Sequence, residues 1–343
     1  MDAIIILATC LVMANMVALA LRKFYVPYVI SLILVSLFLG LPQMKGMFEV
    51  GNTQFYLSLL SEAGLIALMF ITGLHSSRKM LHAEQKDSLY VSLLGVIVPF
   101  AITFTAFYFL GYSFLACMVI AICMTITAVA TNAEILIHLK KLSTKVGSVI
   151  VEAGLFDDFL GVVLFSLVIF ALGHGNITDH ITLILVLAAF LAGLRFQKIK
   201  KYAITDKAIT FAQHGLIPFF FISIGLQFDI VSLSLNPFLV LFTITIAIVG
   251  KLFGTMLAYP LTSLTLPQLY LIGWAMNSRG TVELVIALIA LQAGIISSDI
   301  YSSLVAMALI TTLIFPVIVS LMLHHDPQIM GNIAKHTTKS KHN

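Results

Sequence analysis

The stretch VEAGLFDDFLGVVLFSLV, Val151 to Val168, decides how this chain is read. It is apolar almost throughout, yet Asp157 and Asp158 sit side by side in its middle. Charges in so greasy a segment are expensive, and ionisable groups inside a membrane are functional candidates by default. The run around them is long enough to span a bilayer.

The rest of the chain agrees. Of 343 residues, 60% are hydrophobic and 10% are charged, with a mean hydropathy of +1.07. Too few polar residues remain to cover a soluble surface, so the composition points to a polytopic membrane bundle. About eleven spans are expected, at roughly 3–21, 25–41, 55–74, 88–110, 113–137, 147–171, 180–195, 208–227, 238–260, 268–292 and 300–323. The first has Asp2 ahead of it and Arg22-Lys23 behind it, the reverse of a cleaved signal peptide, and reads as a retained span.

Positive charge alternates between loops. Arg22 and Lys23, Arg78, Lys79 and Lys86, Lys140, Lys141 and Lys145, then Arg195, Lys198, Lys200, Lys201 and Lys207 follow spans one, three, five and seven. Lys335, Lys339 and Lys341 lie in the tail, whereas the even-numbered loops hold essentially Lys45 alone. The positive-inside rule then puts the N-terminus outside and the C-terminus in the cytoplasm. The tail, residues 324–343, is expected to be a solvated cytoplasmic end. Cys10, Cys117 and Cys123 lie in apolar runs and match no zinc or redox spacing. No Gly-rich nucleotide fingerprint is present, and neither a cofactor nor a nucleic-acid partner is expected.

Four spans carry polar groups near one depth. Asp157 and Asp158 lie some ten residues into span six, roughly 15 Å at 1.5 Å per residue, and Glu152 lies shallower on the same helix. Lys251 is mid-span in IVGKLFGTML. WAMNSRGTVELVIA brings Asn277, Ser278, Arg279, Thr281 and Glu283. CMTITAVATNAEIL brings Thr125, Thr127, Thr131, Asn132 and Glu134. Scattered tolerated charges would not converge in this way. The last two stretches are polar, β-branched or Gly-containing at mid-depth, which suggests discontinuous helices in corresponding places of an inverted repeat. Neighbours on a helix point about 100° apart, so the two aspartates serve different partners. One can pair with Lys251, and the other can face a cavity and take a mobile cation or a proton. The bland alternative is that both only salt-bridge to Lys251 and Arg279, but buried ion pairs are poor sources of stability.

These motifs resemble the bacterial sodium/hydrogen exchangers of the cation:proton antiporter superfamily, in the Kef- and NapA-like branch. The resemblance is carried in order by EAGLIALMFITGLHSSRKML (Glu62 to Leu81), ITAVATNAEIL, GLFDDFLG, AAFLAGL, IPFFFISIGLQFD (Ile217 to Asp229), VGKLFG and SRGTVELVIA. It implies a core of residues near 88–171 and 238–323 and a scaffold near 3–74 and 180–227, in a homodimer in the bacterial inner membrane. It implies further that Asp158 binds the cation and the proton, that Asp157 pairs with Lys251, and that Thr127 to Thr131 supply oxygen ligands. Asn132, Ser278, Arg279, Glu283 and Glu152 are expected to support that site. The paired-Asp pattern implies electrogenic exchange. The chain departs from the pattern in three ways. His75 stands where an acid is usual, and Glu152 has no assigned place. A linker helix and one further span are missing after the carboxylate helix.

Other readings stay open beside it. Potassium/proton exchange is the nearest, although Asp-Gln is frequent there where this chain has Asp-Asp. A sodium-coupled solute symporter would need an organic pocket. An intramembrane aspartyl protease would need two aspartates converging from different helices, and the chain is not expected to be an enzyme.

Overall fold

The computed structural model describes residues 2–24, 26–75, 85–172, 177–196 and 203–331. The described residues form helices and their connections, as the long apolar runs require. The first group comprises α1 (Asp2–Leu21), α2 (Tyr28–Leu39), α3 (Pro42–Lys45) and α4 (Thr53–His75). Next come α5 (Gln85–Phe109), α6 (Phe114–Cys123), α7 (Val129–His138) and α8 (Lys145–Leu172). They are followed by α9 (Ile177–Phe196), α10 (Ala203–Phe211), α11 (Ile217–Gln227) and α12 (Ile230–Leu235). The last are α13 (Pro237–Met256), α14 (Leu266–Ala275), α15 (Thr281–Gln292) and α16 (Ser298–His325).

Each of the eleven expected spans is helical, and two of them are split, into α6/α7 and α14/α15. By length and apolarity alone, six described helices can cross a membrane; a seventh candidate is α2 with the segment after it, bent by 80°. The half-helices α6 and α15 are apolar but too short to qualify alone.

Local chemistry sets the ends. Ser113 caps α6 by accepting from the Ala116 N–H, Asn236 caps α13 from Leu239, and Thr265 and Gln268 make a capping box on α14. Between α10 and α11 the chain takes a wide π-turn, Ala212–Leu216, just ahead of Pro218. Proline lacks the N–H that would continue the regular ladder.

Packing sorts the helices into two groups. α4 packs on α9 and α11, and α2 packs on α11 and α1. α5 packs on α13 and α8, and α13 packs on α14 and α16. Small residues allow the closest approaches. Gly225 of α11 lies against the Ser36 backbone of α2, and Gly250 and Gly254 of α13 pack onto Pro99 and the Leu94 carbonyl of α5. The outer faces are apolar, as at Ile4, Val12, Phe109 and Phe238. Among the described residues, buried charged side chains belong to the second group.

One difference from expectation concerns the C-terminal end. α16 continues to His325, and the chain then folds back so that Met330 is buried and its carbonyl accepts from Val146 N–H. Residues 324–328 are exposed, and only Ile329 and Met330 of the described tail are buried. The basic residues at 78–79, 198–201 and 335–341 lie outside the described residues.

Candidate functional site

The site forms where two helices break and cross. α6 ends at Cys123 and α7 begins at Val129; α14 ends at Ala275 and α15 begins at Thr281. Each break leaves carbonyl and N–H groups without helical partners. They find partners across the crossing. Ala128 N–H donates to the Ser278 carbonyl (2.8 Å), and Asn132 Nδ2 donates to the Ala275 carbonyl (2.9 Å). Gly280 makes the crossing tight, because a Cβ there would sit 2.5 Å from Ala128 Cβ.

Arg279 holds the crossing together. Its Nη1 donates to the Ile126 carbonyl (2.6 Å) and lies 3.3 Å from the Cys123 carbonyl, at the negative end of α6. Thr312 of α16 clamps the Arg279 peptide: its Oγ1 accepts from Arg279 N–H (2.7 Å) and lies 2.9 Å from the Arg279 carbonyl. Glu283, one turn along α15, lies 4.0 Å from Arg279 Nε. Arg279 therefore faces carbonyls and Glu283, which removes it as a salt-bridge partner of the paired aspartates.

The two aspartates of α8 have different surroundings. Asp157 is fully enclosed. Lys251 Nζ of α13 lies 2.6 Å from its Oδ2, and Ser92 of α5 donates to Oδ1 (2.8 Å). The Thr127 hydroxyl lies 2.9 Å from the same Oδ2 and 3.0 Å from the Met276 carbonyl, and has one proton to give. Asp158 is 3% exposed, and its Oδ1 accepts no hydrogen bond from the described residues. Its side chain lines a cavity of about 530 Å³ between α7, α8 and α15 on one side and α2, α4 and α11 on the other. Thr127, Thr131 and Thr281 line the same cavity. A carboxylate oxygen without a partner, near hydroxyl oxygens, can take either a proton or a hard monovalent cation.

A second cavity, of about 480 Å³, opens toward the other ends of α4, α11 and α15 and does not contain Asp158. Leu65, Phe220 and Leu288 line it, whereas Leu68, Ile217 and Val282 line the first. About one helical turn of apolar side chains on α4 and on α11 therefore separates the two spaces, and on α15 the interval is nearly two turns, apolar apart from Glu283.

The remaining expected residues are placed as follows. Thr131 is buried beside Asp158 in the cavity wall. Asn132 and Ser278 serve the crossing rather than the cavity. Glu152 is buried away from it, and accepts a 2.7 Å hydrogen bond from Ser88 of α5. Ser88 and Ser92, one turn apart on α5, are contacts of the buried acids that the sequence reading did not single out. Their i, i+4 spacing in SLYVSLLG was the available signal. Thr312 had none, because a single threonine in an apolar helix is ordinary.

Comparison with known proteins supplies the context. The family model described as "Sodium/hydrogen exchanger, transmembrane" matches residues 6–188 and 177–325. A "Na(+)/H(+) antiporter" of Enterococcus hirae is 27% identical over 359 aligned positions, covering 87% of this chain and 92% of the relative. That alignment is longer than the chain, so the relative has positions without counterparts here. The "Na(+)/H(+)-K(+) antiporter GerN" of Bacillus cereus is 24% identical over 84% of this chain and 88% of the relative. Among solved structures, the sodium proton antiporter MjNhaP1 from Methanocaldococcus jannaschii matches with a TM-score of 0.67 at 14% identity. The match covers 97% of this chain and 100% of that one, a likeness of fold.

Proposed function

The chain belongs to the sodium/hydrogen exchanger family of transmembrane proteins, and from that membership we propose that it exchanges a monovalent cation for protons across a membrane, with Na⁺ or Li⁺ as the cation. The observation that carries this reading is Asp158, a buried carboxylate with one orphaned oxygen at a cavity wall, beside an Asp157 already held by Lys251.

On this reading the two carboxylates divide the work. Lys251 neutralises Asp157 and holds it still. Asp158 takes a proton or a cation, and each excludes the other. Either load leaves Asp158 neutral, whereas the bare carboxylate is charged. Carrying a bare charge through the apolar turns between the two cavities is costly. The empty carrier is therefore the one that does not cross, and the two fluxes are coupled. Thr127 and Thr131 offer oxygens to the cation. Asn132, Ser278, Arg279 and Glu283 keep the broken helices in place.

The packing groups suggest the moving parts. The group containing α5–α8 and α13–α16 acts as the core, and α1, α2, α4, α9 and α11 act as the scaffold, with access alternating between the two cavities. We place the protein in the inner membrane as a homodimer, as the family resemblance implies, with the N-terminus outside and the C-terminus cytoplasmic, following the distribution of Lys and Arg. More than one proton per cation would make exchange respond to voltage, by about 2.3 kcal/mol per charge per 100 mV.

The deciding experiment is dye-monitored exchange in vesicles with Na⁺, Li⁺ and K⁺, comparing wild type with Asp158→Asn. Full exchange by the variant overturns the reading. A K⁺/H⁺ preference is the second reading, favoured by a relative whose name includes K⁺; the same cation series separates the two.

A further inference from the structure

The wall of α7 that faces the Asp158 cavity carries more than the ion site requires. On α7, Thr131, Glu134 and His138 recur at intervals of three and four residues and line the cavity, continuing from Thr127 in the break. That is one face of a helix. It runs from the crossing, where Asp158 lies, to the end of α7 at His138. Glu134 sits between, about 4.5 Å along the axis beyond Thr131. It is half-buried, and among the described lining residues it is the one carboxylate besides Asp158. Across from it stands Tyr28, whose backbone N–H it faces, and the basic side chains near it are His138, one turn on along α7, and Arg22 in the same cavity wall.

We propose that Glu134 is a loading station: a second, weaker binding position for the monovalent cation, between the cavity mouth and Asp158. It rests on the reading of Asp158 as the exchange site. The physical need is plain. A cation entering a largely apolar cavity sheds water before it reaches Asp158, and Arg22 at the rim repels it. A carboxylate partway along offsets both effects while remaining wet enough to let the ion go. Passage requires an intermediate site that is favourable but not tight. Glu134 is placed to hold the incoming ion with the Thr131 hydroxyl and pass it on. Arg22 opposes it by competing for the same carboxylate.

The test uses the full chain in everted and in right-side-out membrane vesicles, with Na⁺ as the probe. Glu134→Gln is expected to raise the apparent KM for Na⁺ about tenfold, the scale of one charge lost from a partly wet cavity. The rise should be larger than the effect on maximal rate and confined to the vesicle orientation that presents the cavity mouth to added Na⁺. Glu134→Asp should recover most of the affinity. Arg22→Gln should lower KM, because it removes a competitor. If Glu134 merely tied α7 to Arg22, both neutral variants would move KM the same way, and that outcome overturns the proposal. So does an unchanged KM in Glu134→Gln, or a KM rise of equal size from both faces. Asp158→Asn is run alongside. Exchange surviving in that variant defeats the functional reading itself, whereas an inactive Asp158→Asn with an unaffected Glu134→Gln defeats only the loading station.

Discussion

Lys251 Nζ and Asp157 Oδ2 lie 2.6 Å apart with both side chains at zero exposure, on helices far apart in sequence. The contact joins α13 to α8, and Ser92 and Thr127 complete the shell around the same carboxylate. Such a pair adds little net stability, but opening it is expensive, because it leaves an uncompensated charge. Lys251→Met is therefore expected to destabilise the protein by about 3–5 kcal/mol. Adding Asp157→Asn should return more than half of that loss. Thermal unfolding of the single and double variants in one detergent checks this, and additive losses would contradict it.

Asp158→Asn should behave in the opposite way. Its Oδ1 has no partner among the described residues, so neutralising it breaks no hydrogen bond of that oxygen and removes a buried charge. The thermal midpoint is expected to hold or rise while exchange disappears. A variant that lost both together would point to a structural role.

The crossing has its own signature. An alanine at position 280 would put its Cβ against Ala128 and press the two broken helices apart. Overpacking of this kind costs about 1–3 kcal/mol. Gly280→Ala should lose exchange with a moderate drop in thermal stability, and Ala128→Gly in the same chain should restore part of both.

Thr312→Val keeps the side-chain shape but removes the hydroxyl that serves the Arg279 peptide. A buried N–H left without its acceptor costs about 1–3 kcal/mol. Thr312→Ser should be close to wild type, and comparing the two by thermal unfolding separates hydrogen bonding from packing.

Competition for one carboxylate sets the response to pH. A protonated Asp158 cannot take a cation, so lowering pH raises the apparent KM for Na⁺. The rise approaches about tenfold per pH unit once the proton dominates, as one-proton linkage requires. Saturating Na⁺ should recover the rate. A fall in maximal rate with constant KM would argue for a separate titrating switch.

Much of the layout was legible before any tertiary information. Apolar run length and loop charge marked the helices, and the Thr- and Gly-containing stretches of spans five and ten marked the breaks that open after Cys123 and Ala275. Thr312 was not legible, because a single threonine on an apolar helix is ordinary, and Ser92 was marked only by its i, i+4 spacing from Ser88. The sequence reading left Arg279 open as a partner of the aspartates. That choice turned on which carbonyls lay within its reach.

By itself, the sequence determined that this chain is a helical membrane protein with carboxylates, a lysine and an arginine at one depth. Composition and spacing act within a segment, and a 1.5 Å rise per residue converts position into depth. The pairing of Asp157 with Lys251 was an implication of the resemblance, and only the tertiary structure decided its geometry and that Asp158 lines the cavity with one oxygen unpartnered. Two neighbours on a helix differ by a rotation of about 100°, and which of them faces the lysine depends on how α5, α8 and α13 pack. That orientation is a property of side chains brought together from distant parts of the chain, and no local pattern encodes it.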